Sequence, residues 1–342
     1  MNAGIGNHVD TLWAAAMAGD QYAAIDAATA AIDAGVPVET LLMDVVAAVQ
    51  ARVGHEWAAN RITVAQEHTA SAVNERVLDA LAHHPAMRQS RAPGRGRVAV
   101  ACIDGEWHAF PARLLSEVLR VNGWHVDYLG AQIATRHLVA HLHRTNPDAA
   151  ALSSSLAIRL PAAHAAITAC QAAGTPVLAG GAAFGHDGRY ARLLGADDWA
   201  PDARAAADLL AAGPLPRRTA PGGPPHLAGP EYTRLDRSAP ALVRGVMDEL
   251  GRHVPEMAAY TERQVGQTAE DIARIVDYLR ASLYVDDPEL FSSFLRWMAG
   301  IHTARGIPAQ VVASAVDVLA GLLTGFPRAL ATLARARDVL RA

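Results

Sequence analysis

Four short stretches of this sequence combine residue types suited to holding a ligand. In DGEWHAFP, Glu106 and His108 stand two positions apart. An imidazole is a good nitrogen donor to a transition metal, and a carboxylate beside it can fix its tautomer and raise its basicity. Further along, SSSLA carries Ser154, Ser155 and Leu156, and the pair Gly180–Gly181 precedes AAFG. Paired glycines let a backbone approach a bulky ligand closely. Forty-two residues separate Pro111 from Ser154, and 23 separate Leu156 from Gly180. Earlier, WAANRITVAQEH places Glu67 and His68 ten and eleven positions after Trp57. On a helix that is about three turns, so all three side chains can face one pocket. Singly, each piece is ordinary: a surface histidine, a Gly-Gly after a strand, a tryptophan in a helical core.

Periodicity predicts the helices and strands that carry these residues. Residues 8–88 are rich in Ala, Leu, Val and Met at helical spacing, which predicts a bundle of about four helices. After the turn-rich RAPGRGR (91–97) the period changes. Short apolar runs at 98–103, 125–130, 149–155, 176–181 and 198–200 alternate with helical stretches, which specifies a doubly wound, mainly parallel sheet. Ligands of such sheets sit beyond the carboxyl ends of the strands, where His108, Ser154 and Gly180 all fall. The Pro/Gly-rich segment 213–230 predicts a linker, and 235–342 returns to amphipathic helix broken at Pro255, Pro288, Pro308 and Pro327. The expected class is α/β plus all-α: a helical cap (1–90), a sheet domain (96–212), the linker (213–230) and a helical domain (231–342).

Composition bounds the function. The net charge of −4 comes with no basic block, which argues against a nucleic-acid partner. No run approaches the length of a membrane span, and the first residues lack the pattern of a signal peptide. Two cysteines, Cys102 and Cys170, cannot make a disulfide framework and suit a cytoplasmic location.

Taken together, the motifs at the strand ends resemble the cobalamin-binding fold of methionine synthase and its relatives, a flavodoxin-like domain with an acid-x-His, a Ser-x-Leu and a Gly-Gly at similar spacings. The resemblance implies that His108 displaces the nucleotide base and becomes the lower axial ligand of cobalt, seconded by Glu106. The nucleotide tail would then enter beside Ser154, Leu156, Gly180 and Gly181. The chain departs from the family at Pro111, where a glycine is usual. The Trp57/Glu67–His68 pattern resembles the cap of cobalamin-dependent photoreceptors, which implies that these residues cover the adenosyl group of adenosylcobalamin. Ala58 stands where some relatives carry a histidine that seizes cobalt after photolysis, so the role of His55 or His68 there is open.

The order of cap, sheet and globin-like helices resembles the photocobilins, photoreceptors that carry cobalamin and a bilin. The resemblance implies a light sensor, a homo-oligomer such as a dimer, and a bilin such as biliverdin in the last domain. Neither cysteine lies beyond residue 170, so the bilin would be bound without a thioether link from that domain. Its flat apolar body and propionates need apolar walls with Arg or His at the rim. His253, Tyr260, Tyr284, Arg296, Trp297, His302 and Arg305 are the candidates. Two other readings stand: a corrinoid protein of methyl transfer, for which His108 and Glu106 serve equally, and a haem-binding sensor using His302 or His253.

Overall fold

A computed structural model describes residues 2–89, 94–217, 224–253, 257, 260–307 and 310–341. The chain forms two compact units, residues 1–220 and 221–342.

The first unit begins with helices α1 (Asn2–Ala18) and α2 (Gln21–Asp33), the latter capped by Asp20, which accepts from the amides of Tyr22 and Ala23. A continuous helix follows: α3 (Val38–Thr40), a wider π-helical segment (Leu41–Val46) and α4 (Ala47–Ala58). Its buried face is Leu41, Leu42, Val45, Val46, Val49 and Val53, the apolar stripe that the sequence spaces three and four apart. Helix α5 (Val64–Ala82) and the short α6 (Pro85–Gln89) complete the cap. One expectation fails here. Trp57 does not share a helix with Glu67 and His68, because α4 ends at Ala58 and Asn60 adopts a left-handed backbone (φ 56°). A reciprocal box between Thr63 and Gln66 then starts α5, so Glu67 lies in the first turn of a new helix.

The sheet holds five parallel strands: β1 (Arg97–Cys102), β2 (His125–Gly130), β3 (Ala149–Ser153), β4 (Val177–Gly180) and β5 (Asp198–Ala200), in the order β2-β1-β3-β4-β5. Between and after them run α7 (Phe110–Val121), α8 (Thr135–Thr145), α9 (Leu160–Ala172), α10 (Arg189–Leu193) and α11 (Ala203–Ala212). This is the flavodoxin-like order, whose direction reverses between β1 and β3, and that switch point is where such sheets bind ligands. Cys102 pairs with Ser153 at the ends of these two strands, so the loops that follow emerge side by side. The cap is not a separate body. A single apolar core runs from Leu12, Val49 and Leu78 of the cap to Leu119 of α7, Val98 and Val100 of β1 and Leu210 of α11. Polar ties cross the same seam: Arg204 of α11 pairs with Glu39 at 2.8 Å and with Asp44, and Arg113 of α7 pairs with Asp79 of α5.

The second unit is all-helical, with five long helices among the described residues: α12 (Glu231–His253), α13 (Glu262–Val285), α14 (Pro288–Ala304), α15 (Gln310–Leu322) and α16 (Pro327–Arg341). Pro288 and Pro327 open α14 and α16, where a missing N–H is harmless. Pro255 and Pro308 lie outside the described residues. Leu235, Leu279, Phe291, Leu295, Val316 and Leu333 lead a separate core. No described helix in either unit is long and apolar enough to cross a membrane.

Candidate functional site

The loop after β1 turns back so that the Glu106 side chain is wholly buried, at 0% exposure, and His108 opens toward solvent with its side chain 30% exposed. Every hydrogen bond to Glu106 comes from a donor. Oε1 accepts from the backbone N–H of His108 at 3.0 Å and from its ring Nδ1 at 2.5 Å. Oε2 accepts from the Ser154 hydroxyl at 3.2 Å and from the amides of Ser155 at 2.8 Å and Leu156 at 3.1 Å. Burial alone would push this carboxyl up. The hydrogen bonds from the His108 side chain and backbone and from Ser155 and Leu156 outweigh it and hold the group down at about 2. Glu106 is therefore a carboxylate at neutral pH, and it joins the loops after β1 and β3.

This arrangement sets the tautomer of His108. An ionised carboxylate beside Nδ1 keeps the proton there, which leaves a lone pair on Nε2, the form that binds a metal. A lone imidazole so presented suits a metal that brings its remaining ligands in its own macrocycle. The Trp107 indole stacks on the imidazole ring with centroids 3.8 Å apart. Cys102 lies behind the loop, its Sγ 3.8 Å from the His108 carbonyl. Burial, with the charge of Glu106 adding to it, pushes its thiol up to about 12, so it stays neutral.

The other sheet-edge residues are tied into the protein's own loops. Ser154 is fully buried, and its hydroxyl serves Glu106 and the Leu156 carbonyl. Leu156 is half-buried and contributes its amide. Gly181 has φ 98°, and a Cβ there would lie 2.3 Å from the Ser154 carbonyl oxygen. The glycine is thus required by the protein's own backbone, where the loop after β4 crosses the loop after β3. Gly180 is less constrained, since a Cβ there would lie 3.4 Å from the Ala200 carbonyl oxygen. Pro111, the departure from the glycine of the resembled family, lies in the first turn of α7, where proline fits.

In the cap, Trp57 is half-buried against the shared core. Glu67 takes a hydrogen bond from His68 Nδ1 and another from the Ser71 hydroxyl at 3.0 Å. Ser71 accepts from Gln50 Nε2 at 2.8 Å, and Gln50 accepts from the buried Asn74 at 2.8 Å. A polar chain therefore runs from inside the cap to Glu67 and ties α4 to α5. His68 is mostly exposed, at 65% of its side chain. Motif spacing does not reveal this chain, although Gln50, Ser71 and Asn74 are polar residues within an otherwise apolar stripe.

In the second unit, His302 is buried, at 8% exposure. Its Nε2 donates to Asp271 at 3.1 Å, while Nδ1 has no partner among the described residues. The ring lines a cavity of about 170 Å³ together with Tyr260, Gln264, Thr268, Ile275 and Met298. Two of the expected rim residues are elsewhere. Arg296 pairs with Glu289 along its own helix, and Arg305 caps the end of α14 on the Ile301 carbonyl at 3.2 Å. Trp297 is half exposed, and the Tyr284 ring packs edge-on to Tyr232, so neither lines it. The His253 side chain lies outside the described residues.

Comparisons with known proteins agree with the first unit. Residues 96–208 match the B12 binding domain, and residues 9–82 match a second domain also described as a B12 binding domain. No curated protein matches the chain. Among solved structures, the monomethylamine corrinoid protein of Methanosarcina barkeri is 17% identical with a TM-score of 0.52, over 61% of this chain and 99% of that one. A methanol:cobalamin methyltransferase complex from the same organism is 18% identical (TM-score 0.32; 62% and 82% covered). A cobalamin-binding protein from Desulfitobacterium hafniense DCB-2 is also 18% identical (TM-score 0.33; 60% and 97% covered). The first of these likenesses shows a shared fold.

Proposed function

We propose that this cobalamin-binding protein is a light sensor that holds adenosylcobalamin between its cap and the carboxyl edge of its sheet. The observation that carries the reading is the cap. Trp57 closes α4, and Glu67, at the start of α5, is fixed by His68 and by the chain through Ser71, Gln50 and Asn74. These are the residue types that cover the adenosyl group in the photoreceptors the cap resembles. When bound, an adenosylated corrinoid supplies a cobalt–carbon bond that visible light breaks. His108 would hold the cobalt through Nε2, and Glu106 would keep the proton on Nδ1. The indole of Trp57 would exclude water, and the carboxylate of Glu67 would accept from ligand hydroxyls. Trp57 and Glu67 would then make contacts in the loaded state that they lack in the spent one, and the position of the cap follows such a difference.

For the second unit the proposed ligand is biliverdin, held without a covalent bond, since Cys102 and Cys170 both lie buried in the first unit. His302 Nδ1, a buried acceptor without a partner among the described residues, suits a pyrrole N–H. The cavity of about 170 Å³ is smaller than the roughly 300–1,000 Å³ of typical ligand pockets, so binding requires it to widen. The same lone pair would suit haem iron, and a Soret band on adding haem to the chain would favour that ligand. The protein would act in the cytoplasm as a receptor without catalysis, passing its signal to a partner or through a change of assembly such as a dimer.

A second reading, a carrier of methyl groups between enzymes, draws on the fold shared with the monomethylamine corrinoid protein. One experiment separates them. The chain is mixed with adenosylcobalamin and biliverdin, purified in the dark and then illuminated with green light. A change of assembly or of cap protection between dark and illuminated samples, read by size-exclusion chromatography and hydrogen exchange, supports the sensor, and a separate red band reports retained biliverdin. Photolysis of the bound corrinoid with no change in the protein sinks it and favours the carrier. His108→Ala should change the corrinoid spectrum in either case.

A further inference from the structure

Trp107 is among the most exposed large apolar side chains of the protein, at 51%, yet it stands between a fully buried carboxylate and the proposed metal ligand. Its indole lies against the His108 imidazole with centroids 3.8 Å apart and planes 28° from parallel. The imidazole is thus held twice. Glu106 grips its edge through Nδ1, at 2.5 Å, and Trp107 covers one face. The two restraints differ in kind. A single hydrogen bond at the ring's edge fixes one atom and leaves the ring free to rock about it. A flat partner on the face removes that motion, because tilting the ring away opens the stack.

We propose that Trp107 is a positioning residue for His108: it holds the ring in the orientation, set by Glu106 at Nδ1, that would offer Nε2 to cobalt. The inference rests on His108 as the cobalt ligand. An aromatic pair of this kind is worth about a two- to tenfold change in an equilibrium constant, which sets the size of the expected effect.

The test uses the full chain, its Trp107→Ala, Trp107→Phe and His108→Ala variants, and cobalt(II) cobalamin as the probe. Electron paramagnetic resonance reports the axial nitrogen through its hyperfine splitting, and ¹⁵N-labelling of histidine distinguishes His108 from the corrinoid's own base. The parent should show a splitting that changes on labelling, and His108→Ala should lose that change. Trp107→Ala should bind the corrinoid about two- to tenfold more weakly and show part of its signal without the label-sensitive splitting. Trp107→Phe, which keeps a flat ring, should restore both. Circular dichroism of the variants, expected to match the parent at so exposed a position, separates this from loss of fold. Trp107→Ala indistinguishable from the parent in affinity and splitting overturns the proposal, as does a Phe variant no better than Ala. A parent whose splitting ignores the label removes His108 as the ligand, and the proposal falls with it.

Discussion

Replacing Glu106 by glutamine changes one atom, and the structure states what that atom must do. The carboxylate accepts from five donors: the ring and backbone of His108, the Ser154 hydroxyl and the amides of Ser155 and Leu156. A side-chain amide has one accepting end and one donating end. If its NH₂ faces residues 154–156, two buried backbone amides lose their acceptor. If it faces His108, only one does, because the imidazole can shift its proton to Nε2 and accept at Nδ1. Each buried orphan costs about 1–3 kcal/mol, so the second orientation is favoured and the variant should lose about that much stability. The charge gives a consistent figure. A carboxyl held at about 2, against its ordinary 4.5, corresponds to about 3 kcal/mol of preferential stabilisation of the ionised form. The orientation that protects the fold is also the one that puts a proton on Nε2, so corrinoid affinity should fall by about 10- to 100-fold, the usual effect of losing a partner of a metal ligand. Five of the six tryptophans lie in the first unit. Urea unfolding followed by tryptophan fluorescence in a Trp297→Phe background therefore reports stability there, and a visible-light titration reports affinity. The pH dependence has a definite sign. Because folding lowers this pKa, its contribution is complete above pH 4.5 and is lost as pH falls through about 2, so the gap between parent and variant should close over that interval. A glutamine variant within about 0.5 kcal/mol of the parent, with unchanged affinity, would mean that Glu106 neither fastens the two loops nor sets the His108 tautomer.

Gly181→Ala should destabilise the first unit by about 3 kcal/mol or more, since φ 98° and the Ser154 carbonyl leave no place for a methyl group; a thermal melt reads it. Gln50→Leu breaks the cap's polar chain and orphans the buried Asn74, for about 1–3 kcal/mol by urea unfolding. Arg204→Ala removes partly exposed ion pairs to Glu39 and Asp44 and should cost no more than about 1 kcal/mol by the same measurement, because the apolar core holds the seam. A larger loss there would mean that charge, not burial, fastens the cap.

Much of the fold was legible in the sequence. The five apolar runs became β1 to β5 nearly as bounded, because buried parallel strands must be continuous in Val, Ala and Leu. The flavodoxin-like order then put Glu106 and His108 beside Ser154 and Leu156. What periodicity could not show was the break between Trp57 and Glu67, since alanine-rich sequence on both sides carries one helical rhythm across it. The signal was local: Thr63-x-x-Gln66 is a helix start. The donors to Glu106 from Ser155 and Leu156 were illegible for a different reason, being main-chain groups that any residue supplies. In the second unit, spacing brought His302 and Arg305 together on paper. The structure buries one on Asp271 and spends the other on a helix end.

The core shared by cap and sheet has a thermal consequence. Whatever stimulus parts these layers must hydrate side chains such as Leu78, Leu119 and Val98, and exposing apolar surface raises the heat capacity. The energy needed to move the cap is therefore not one number but a curve. Cooling weakens the burial that closes the seam, and warming from the cold tightens it. Any response of this protein that runs through cap movement inherits that curve, and so reports temperature along with its own signal.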